Sequence, residues 1–129
     1  MIFDSAQKIL KSIKERKYSV VEVLESFLHQ VEKVNPTINA IVALDVERAL
    51  EKANAAANKI NSNSKLGSLH GLPIAIKDII GTYDMPTECG TVFRKKMSSS
   101  QDSEIVNLLK TAGAIIMGKT VTCELAYIH

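Results

Sequence analysis

The segment that decides the fold is PIAIKDII, residues 73–80, a short apolar run that ends at a glycine. Its length and its isoleucines are typical of a buried strand. A second apolar run, residues 114–117, follows an amphipathic segment that begins at Asp102 or Ser103 and ends at Gly113. A strand, a helix and another strand in this order predict parallel strands joined by a right-handed crossover.

The chain between the first strand and its helix lacks a regular pattern. Residues 81–101 contain three glycine or proline breaks and a run of three serines, residues 98–100. These features predict a long irregular connection, which more often carries function than packing. The apolar side of the helix that follows consists of Ile105, Leu108, Leu109 and Ala112.

Upstream of residue 73, apolar residues recur at helical spacing in three places. The first predicted helix covers residues 5–15. Ser19 and Glu22 form a capping box that starts the second helix. Pro36 should stop that helix, because proline disfavours a helical residue before it and has no N–H to donate.

A short strand, residues 38–44, separates the second helix from the third. Asp45 is a suitable N-cap for the third helix, which is expected to reach about Ile60. Residues 61–64 then begin a loop, and another short helix starts at Thr120 or Thr122. The predicted order of elements is helix, helix, strand, helix, strand, loop, helix, strand and helix, which indicates an α/β fold with a largely parallel sheet.

The composition excludes several classes of protein. Apolar residues make up 46% and charged residues 23%, which is typical of a globular chain. No apolar run approaches the roughly 18 residues of a membrane span, and the N-terminus lacks the apolar core of a secretory signal. The net charge of +2 is too small to indicate nucleic acid as a partner. Cys89 and Cys123 have no companion at metal-ligand spacing, so we expect a reduced, cytoplasmic protein without a metal or cofactor.

Residues 113–120, GAIIMGKT, fit the phosphate-binding pattern GxxxxGK[ST]. The mechanism of that pattern requires a strand before the first glycine and a flexible loop between the glycines. Here a helical pattern precedes Gly113, and the four residues between the glycines are apolar. We therefore interpret Gly113 as the end of a helix and Gly118 as a turn after a strand, and predict no nucleotide site.

Lys77 is the strongest chemical feature of the sequence. Strand alternation places it on one side with Pro73 and Ala75, whereas Asp78 points to the other side and is not an obvious partner. A lysine inside an apolar strand loses hydration, which favours its neutral form, and a neutral amine can act as a general base. The alternative is a lysine at a strand end whose ammonium reaches solvent.

Two blocks of this sequence carry a resemblance to a known family. Residues 71–78, GLPIAIKD, followed by residues 85–87 and Gly90, resemble the catalytic-lysine segment of the amidase signature family. Residues 106–115 and 118–126 resemble the next block of that family, and the N-terminal helices are similar to its usual opening. The resemblance covers essentially the whole chain. It implies N-terminal helices plus part of a mixed, largely parallel sheet of the amidase signature fold, incomplete as given.

The resemblance implies hydrolysis of a carboxylic amide C–N bond by a Ser-cisSer-Lys triad, in which Lys77 matches the lysine. A serine hydroxyl is a weak nucleophile until a base removes its proton. The family's Gly/Ser-rich loop does not occur in this sequence, so both serines are expected beyond residue 129. Residues 1–129 are then the N-terminal part of one amidase-type domain, inactive alone: residues 1–62 are a helical opening with one strand, and residues 63–129 hold the catalytic-lysine segment and the following βαβ unit.

Two other functions stay open. One is the A-type component of an amidotransferase, which hydrolyses glutamine for tRNA-dependent amidation together with partner subunits; Val121 and residues 88–91 look more like general amidases. The other is a catalytically inactive piece with only a packing role, whose unpaired sheet edges invite association, for instance into a homo-oligomer. For the amidase, the expected partner is a small-molecule amide whose identity the sequence leaves unspecified, with no membrane and no nucleic acid bound by this chain itself.

Overall fold

The computed structural model describes residues 1–62 and 65–127, so Asn63 and Ser64 of the predicted loop lie outside the described residues. The described helices are α1 (Ala6–Lys14), α2 (Val20–Ile38), α3 (Val46–Asn61) and α4 (Glu104–Thr111). The strands are β1 (Ile41–Leu44), β2 (Pro73–Lys77) and β3 (Ile115–Thr120), and a 3-10 turn covers Glu124–Ala126. This order of elements confirms the predicted α/β fold. Among the described residues, no helix combines the length and the apolar character needed to cross a membrane.

The three strands form one mixed sheet in the order β1-β3-β2. Strand β2 runs parallel to β3, with Pro73 opposite Ile115 and Lys77 opposite Thr120. Strand β1 runs antiparallel to β3, with Ile41 opposite the same Thr120. The mixed sheet is therefore confirmed, and β3 is its central strand. The right-handed crossover through α4 stays a prediction.

Local capping explains where the helices begin. The Ser19 hydroxyl accepts a hydrogen bond from the Glu22 N–H (3.1 Å), and the Glu22 carboxylate accepts one from the Ser19 N–H (2.7 Å). The predicted capping box is thus confirmed. Asp45 caps α3 by accepting a hydrogen bond from the N–H of Arg48 (3.1 Å), also as predicted.

The predicted end of α2 at Pro36 is wrong, because the helix continues to Ile38. Pro36 lies in the last helical turn, where a missing N–H costs one hydrogen bond and does not prevent the neighbouring ones. The helix ends at Asn39, which has a left-handed φ of +48° and donates its N–H to the carbonyl of Asn35 (2.8 Å). The Asn35 side chain also bonds the backbone of Ile41, which joins the end of α2 to β1.

The core lies between the first three helices and the sheet. Alanines on α3 let this helix approach its neighbours closely, and the apolar residues of β3 complete the cluster. The buried residues of this cluster are Ile9, Ile13, Val20, Val23, Leu24, Ala49, Ala53, Ala56, Leu72, Ile115 and Met117.

Helix α4 packs differently from the prediction. Val106 is fully buried, whereas Ile105 is 53% exposed and Leu108 is 62% exposed. The helix has only eight residues and therefore contacts the sheet through a narrow face. Ile105 and Leu108 consequently form an apolar surface that the described residues leave open.

Candidate active site

Lys77 is the last residue of β2, and its side chain is exposed. The prediction that it is buried in an apolar strand is therefore wrong within the described residues, and the strand-end alternative fits its position. The cause is the alternation of β2: Ile76 and Asp78 are buried on one side, whereas Ala75 is only half-buried on the side of Lys77. The role of Lys77 in catalysis stays a prediction.

The buried lysine of this sheet is Lys119 in β3, whose side chain is 0% exposed. Five oxygen atoms surround its Nζ. They are Thr87 Oγ1 (2.8 Å), Ile80 O (3.0 Å), Pro86 O (3.1 Å), Thr82 Oγ1 (3.2 Å) and Asp78 Oδ1 (3.4 Å). Burial lowers the pKa of Lys119 below its ordinary value, and the attraction of the Asp78 carboxylate opposes this effect.

Asp78 is buried together with Lys119 and is 3% exposed. Besides its ion pair with Lys119, its carboxylate accepts a hydrogen bond from the Glu88 N–H, 3.2 Å from Oδ2. Its backbone carbonyl accepts another from the N–H of Cys89 (3.0 Å). Asp78 thus points away from Lys77, as strand alternation predicts, and organises the irregular segment that follows β2.

The sequence analysis missed Lys119, because the GKT residues were considered only as a phosphate-binding pattern. The rejection of that pattern is confirmed: Gly113 has a φ of +92° just after α4, and the residues that follow form β3. The useful signal was strand alternation, since Ile115, Met117 and Lys119 point to one side and the first two are apolar. A lysine that continues a buried row is expected to be buried with partners.

The interpretation of Gly118 as a turn after the strand is wrong. Gly118 lies within β3 and pairs with both Ala75 and Leu44. A Cβ atom at this position would lie 2.6 Å from the carbonyl oxygen of Ala43, so only glycine lets β1 approach β3 this closely.

An open hollow of about 310 Å³ lies where β2 and β3 end. Ligand sites of parallel sheets commonly form at the carboxyl ends of the strands. Lys77 is not part of this lining. The lining residues are Val42, Asp78, Glu88, Gly90, Thr91, Val92, Lys95, Val121 and Thr122. Two larger hollows, of about 520 and 480 Å³, lie against α3 and α1 and also exclude Lys77.

The described residues offer no group of three or more histidine, cysteine, aspartate or glutamate side chains that could hold a metal ion. Both cysteines are free thiols, Cys89 buried and Cys123 exposed. The side chains near the end of β2 are therefore amines, carboxylates and hydroxyls, which can exchange protons and donate or accept hydrogen bonds.

The fold and the two matching blocks define the class of this protein. The chain belongs to the amidase family, since the family model described as Amidase matches residues 22–129. The resemblance to the amidase signature family is thus confirmed, and the sheet with its surrounding helices is part of that family's fold.

Particular relatives are similar along nearly the whole chain. The A-type component of the glutamyl-tRNA(Gln) amidotransferase of Rhodopirellula baltica is 38% identical over 122 residues, which cover 95% of this chain and 24% of the relative. A bacterial aryl acylamidase of the amidase signature family has a TM-score of 0.88 at 25% identity, over 95% of this chain and 26% of the other. A chain of an inhibitor-bound vestigial protein complex, which bears on the origins of an s-triazine catabolic enzyme, has a TM-score of 0.91 at 28% identity, over 96% of this chain and 27% of the other.

The present chain therefore spans about a quarter of the length of the relatives it matches. The shared quarter includes the segment of Lys77 and the segment of Lys119.

Proposed function

We propose that the protein hydrolyses a carboxylic amide C–N bond through a Ser-cisSer-Lys triad in which Lys77 is the general base. The observation that carries this proposal is the position of Lys77 within the family-matching segment GLPIAIKD, at the carboxyl end of a parallel strand. Its exposed side chain can reach groups outside the described residues, whereas the other lysine of this sheet end, Lys119, is enclosed.

Lys77 would take the proton of a bridging serine, which in turn takes the proton of the nucleophilic serine as it attacks the amide carbonyl. The same proton would later return to the departing amine. Only a neutral amine can accept a proton, so Lys77 must be enclosed when it acts. We propose that residues outside these 129 supply the two serines and cover Lys77, consistent with the greater length of the relatives.

The first prediction concerns Lys77→Ala in the complete protein that carries this chain. Removal of the base is expected to lower kcat for amide hydrolysis by about 10²–10⁴-fold, the usual contribution of general base catalysis. Labelling by a serine-reactive fluorophosphonate should slow to a similar extent. The measurement is the steady-state rate with a panel of small amides, together with labelling followed in time.

The control for this experiment is Lys33→Ala, since Lys33 is an exposed lysine of α2 far along the chain from β2. It should retain the activity and labelling of the unchanged protein. Undiminished hydrolysis and labelling in a folded Lys77→Ala protein would contradict the proposed role of Lys77.

A second candidate function is that of the A-type component of a tRNA-dependent amidotransferase, favoured by the 38% identity to such a protein. It predicts glutamine hydrolysis that appears only after a partner protein co-purifies, whereas the first proposal predicts activity without one. An inactive piece with a packing role predicts instead a natural product with an intact mass of 14.1 kDa and no labelling.

We further propose a small-molecule amide as substrate and the cytoplasm as location. The proposed location is supported by the two unpaired cysteines, because extracellular chains commonly pair theirs. Cell fractionation would test it, and recovery from a secreted or membrane fraction would contradict it.

A further inference from the structure

The turn that begins at Lys77 is fastened to the neighbouring strand by Lys119. The N–H of Ile80 donates to the carbonyl of Lys77 (2.9 Å), which closes the turn. The carbonyl of Ile80 in turn accepts a hydrogen bond from Lys119 Nζ (3.0 Å), and the Asp78 carboxylate lies 3.4 Å from the same nitrogen. Lys119 thus holds both the residue directly after Lys77 and the residue that closes the turn.

The backbone pairing of β2 and β3 adds a second connection. Lys77 lies opposite Thr120, and the N–H of Asp78 donates to the carbonyl of Thr120 (2.9 Å). Lys119, one residue earlier, lies opposite Ile76. Because side chains alternate along a strand, the two lysines point to opposite sides of the sheet, and the fully buried Lys119 has no access to a substrate.

The oxygen atoms around Lys119 also fix the segment that follows the turn. Thr82, Pro86 and Thr87 each place an oxygen within 3.2 Å of Nζ. The Thr82 hydroxyl further donates to the Met85 carbonyl (2.9 Å). A long, flexible side chain that ends in three N–H donors is suited to such a set of carbonyl, hydroxyl and carboxylate acceptors.

We propose that Lys119 is a positioning residue for Lys77, which keeps the end of β2 and its turn in the geometry that aims Lys77 at its proton donor. This inference rests on the proposed function, since it gives Lys77 a proton to accept. A displacement of about 1 Å at a reacting group can lower a rate by about 100-fold, so a contact near the catalytic residue can matter for catalysis.

The first test measures the turn itself, by amide hydrogen exchange of Ile80 in the 129-residue chain. In Lys119→Met the acceptor carbonyl of Ile80 loses its partner, and exchange of the Ile80 N–H should become at least about tenfold faster. The control Lys33→Met should exchange as the unchanged chain does. Unchanged exchange at Ile80 in Lys119→Met would overturn the proposal.

A second variant keeps the test decisive if Lys119→Met fails to fold. Removal of Lys119 alone leaves the Asp78 carboxylate buried without its counter-charge, which is strongly destabilising. The double variant Asp78→Asn with Lys119→Met removes both charges, so the chain should fold while the Ile80 carbonyl still lacks its donor. Faster Ile80 exchange in this folded double variant supports the proposal, and unchanged exchange overturns it.

The second test measures catalysis in the complete protein, per folded molecule as determined by circular dichroism. The double variant should lower kcat at least about tenfold and change KM less than about twofold, because a misplaced base affects the chemical step. A merely structural role would lower the folded fraction and leave kcat per folded molecule unchanged, which overturns the proposal. If Lys77→Ala itself retains activity, the proposed function fails instead, whatever the exchange at Ile80.

Discussion

Gly90 is the residue at which the irregular segment after β2 touches the segment after β3. Its φ of +68° lies in the left-handed region that favours glycine. A Cβ atom there would lie 2.6 Å from the carbonyl oxygen of Thr122 and 3.0 Å from that of Cys123. Gly90 also lines the hollow at the strand ends, so its small size shapes that surface.

We therefore expect Gly90→Ala to lower the free energy of unfolding by about 1–3 kcal/mol, the usual cost of a left-handed backbone at a residue other than glycine. Urea unfolding of the chain measures this change. Gly81→Ala is the matched control, because its Cβ would meet only the Ser99 side chain, which can rotate away. Equal midpoints for the two variants would contradict the argument.

The junction between α2 and β1 depends on Asn35, whose side chain acts like a short piece of strand. Its Oδ1 accepts a hydrogen bond from the Ile41 N–H (2.8 Å), and its Nδ2 donates to the Ile41 carbonyl (2.9 Å). Both polar groups of the Ile41 backbone are thereby satisfied by a residue of the preceding helix. The length of α2 and the start of β1 are thus set by one amide side chain.

Asn35→Asp is expected to destabilise the chain, because a carboxylate can accept from the Ile41 N–H but cannot donate to its carbonyl. Asn35→Ala removes both bonds, and each variant should lose about 1–3 kcal/mol of unfolding free energy. The measurement is again urea unfolding, with Lys33→Ala on the exposed face of the same helix as the control. If both Asn35 variants match that control, the side chain does not join α2 to β1.

At the scale of the whole molecule, local signals predicted where elements begin better than where they end. Ser19 and Asp45 mark helix starts with side chains that act within three residues, which a sequence displays directly. The end of α2 depends on a bond from Asn35 to Ile41 across the helix boundary, so Pro36 alone was misleading. The order of elements and the mixed sheet followed from apolar periodicity.

The candidate site was predictable only in part, for a related reason. Family-matching residues identify Lys77, and strand alternation separates it correctly from Asp78. Whether a lysine is buried depends on which segments cover it, and the irregular segment after β2 covers Lys119 rather than Lys77. No local pattern states where such a segment will lie.

An ion-pair network ties the same irregular segment to the helices on its outer side. Lys110 of α4 contacts Asp102 (2.6 Å) and Asp84 (3.0 Å), and Arg48 of α3 lies 3.5 Å from Asp84. The N–H of Tyr83 also donates to the Asp102 carboxylate (2.8 Å). Lys119 inside and Lys110 outside therefore hold the segment from two sides, which couples the end of β2 to the rest of the fold.

This network predicts a specific dependence of stability on pH. Burial raises the pKa of Asp102, but the hydrogen bonds from Lys110 and from the Tyr83 N–H outweigh it and hold the pKa below the ordinary 3.8. A carboxyl with a lowered pKa in the folded state stabilises the fold above its ordinary pKa, and this contribution is lost as the pH falls through the folded value. Asp102→Asn keeps the acceptor for Tyr83 and removes the charge, so near pH 7 it should cost about 1.5–3 kcal/mol. Thermal or urea unfolding of both proteins from about pH 7 to about pH 2 should find the difference constant down to about pH 4 and shrinking below 3.8. Glu15→Gln serves as the control, because its ion pair with Lys17 (2.8 Å) is exposed and contributes little. A difference between Asp102→Asn and the unchanged chain that persists undiminished at the lowest pH would show that charge on Asp102 does not hold this segment.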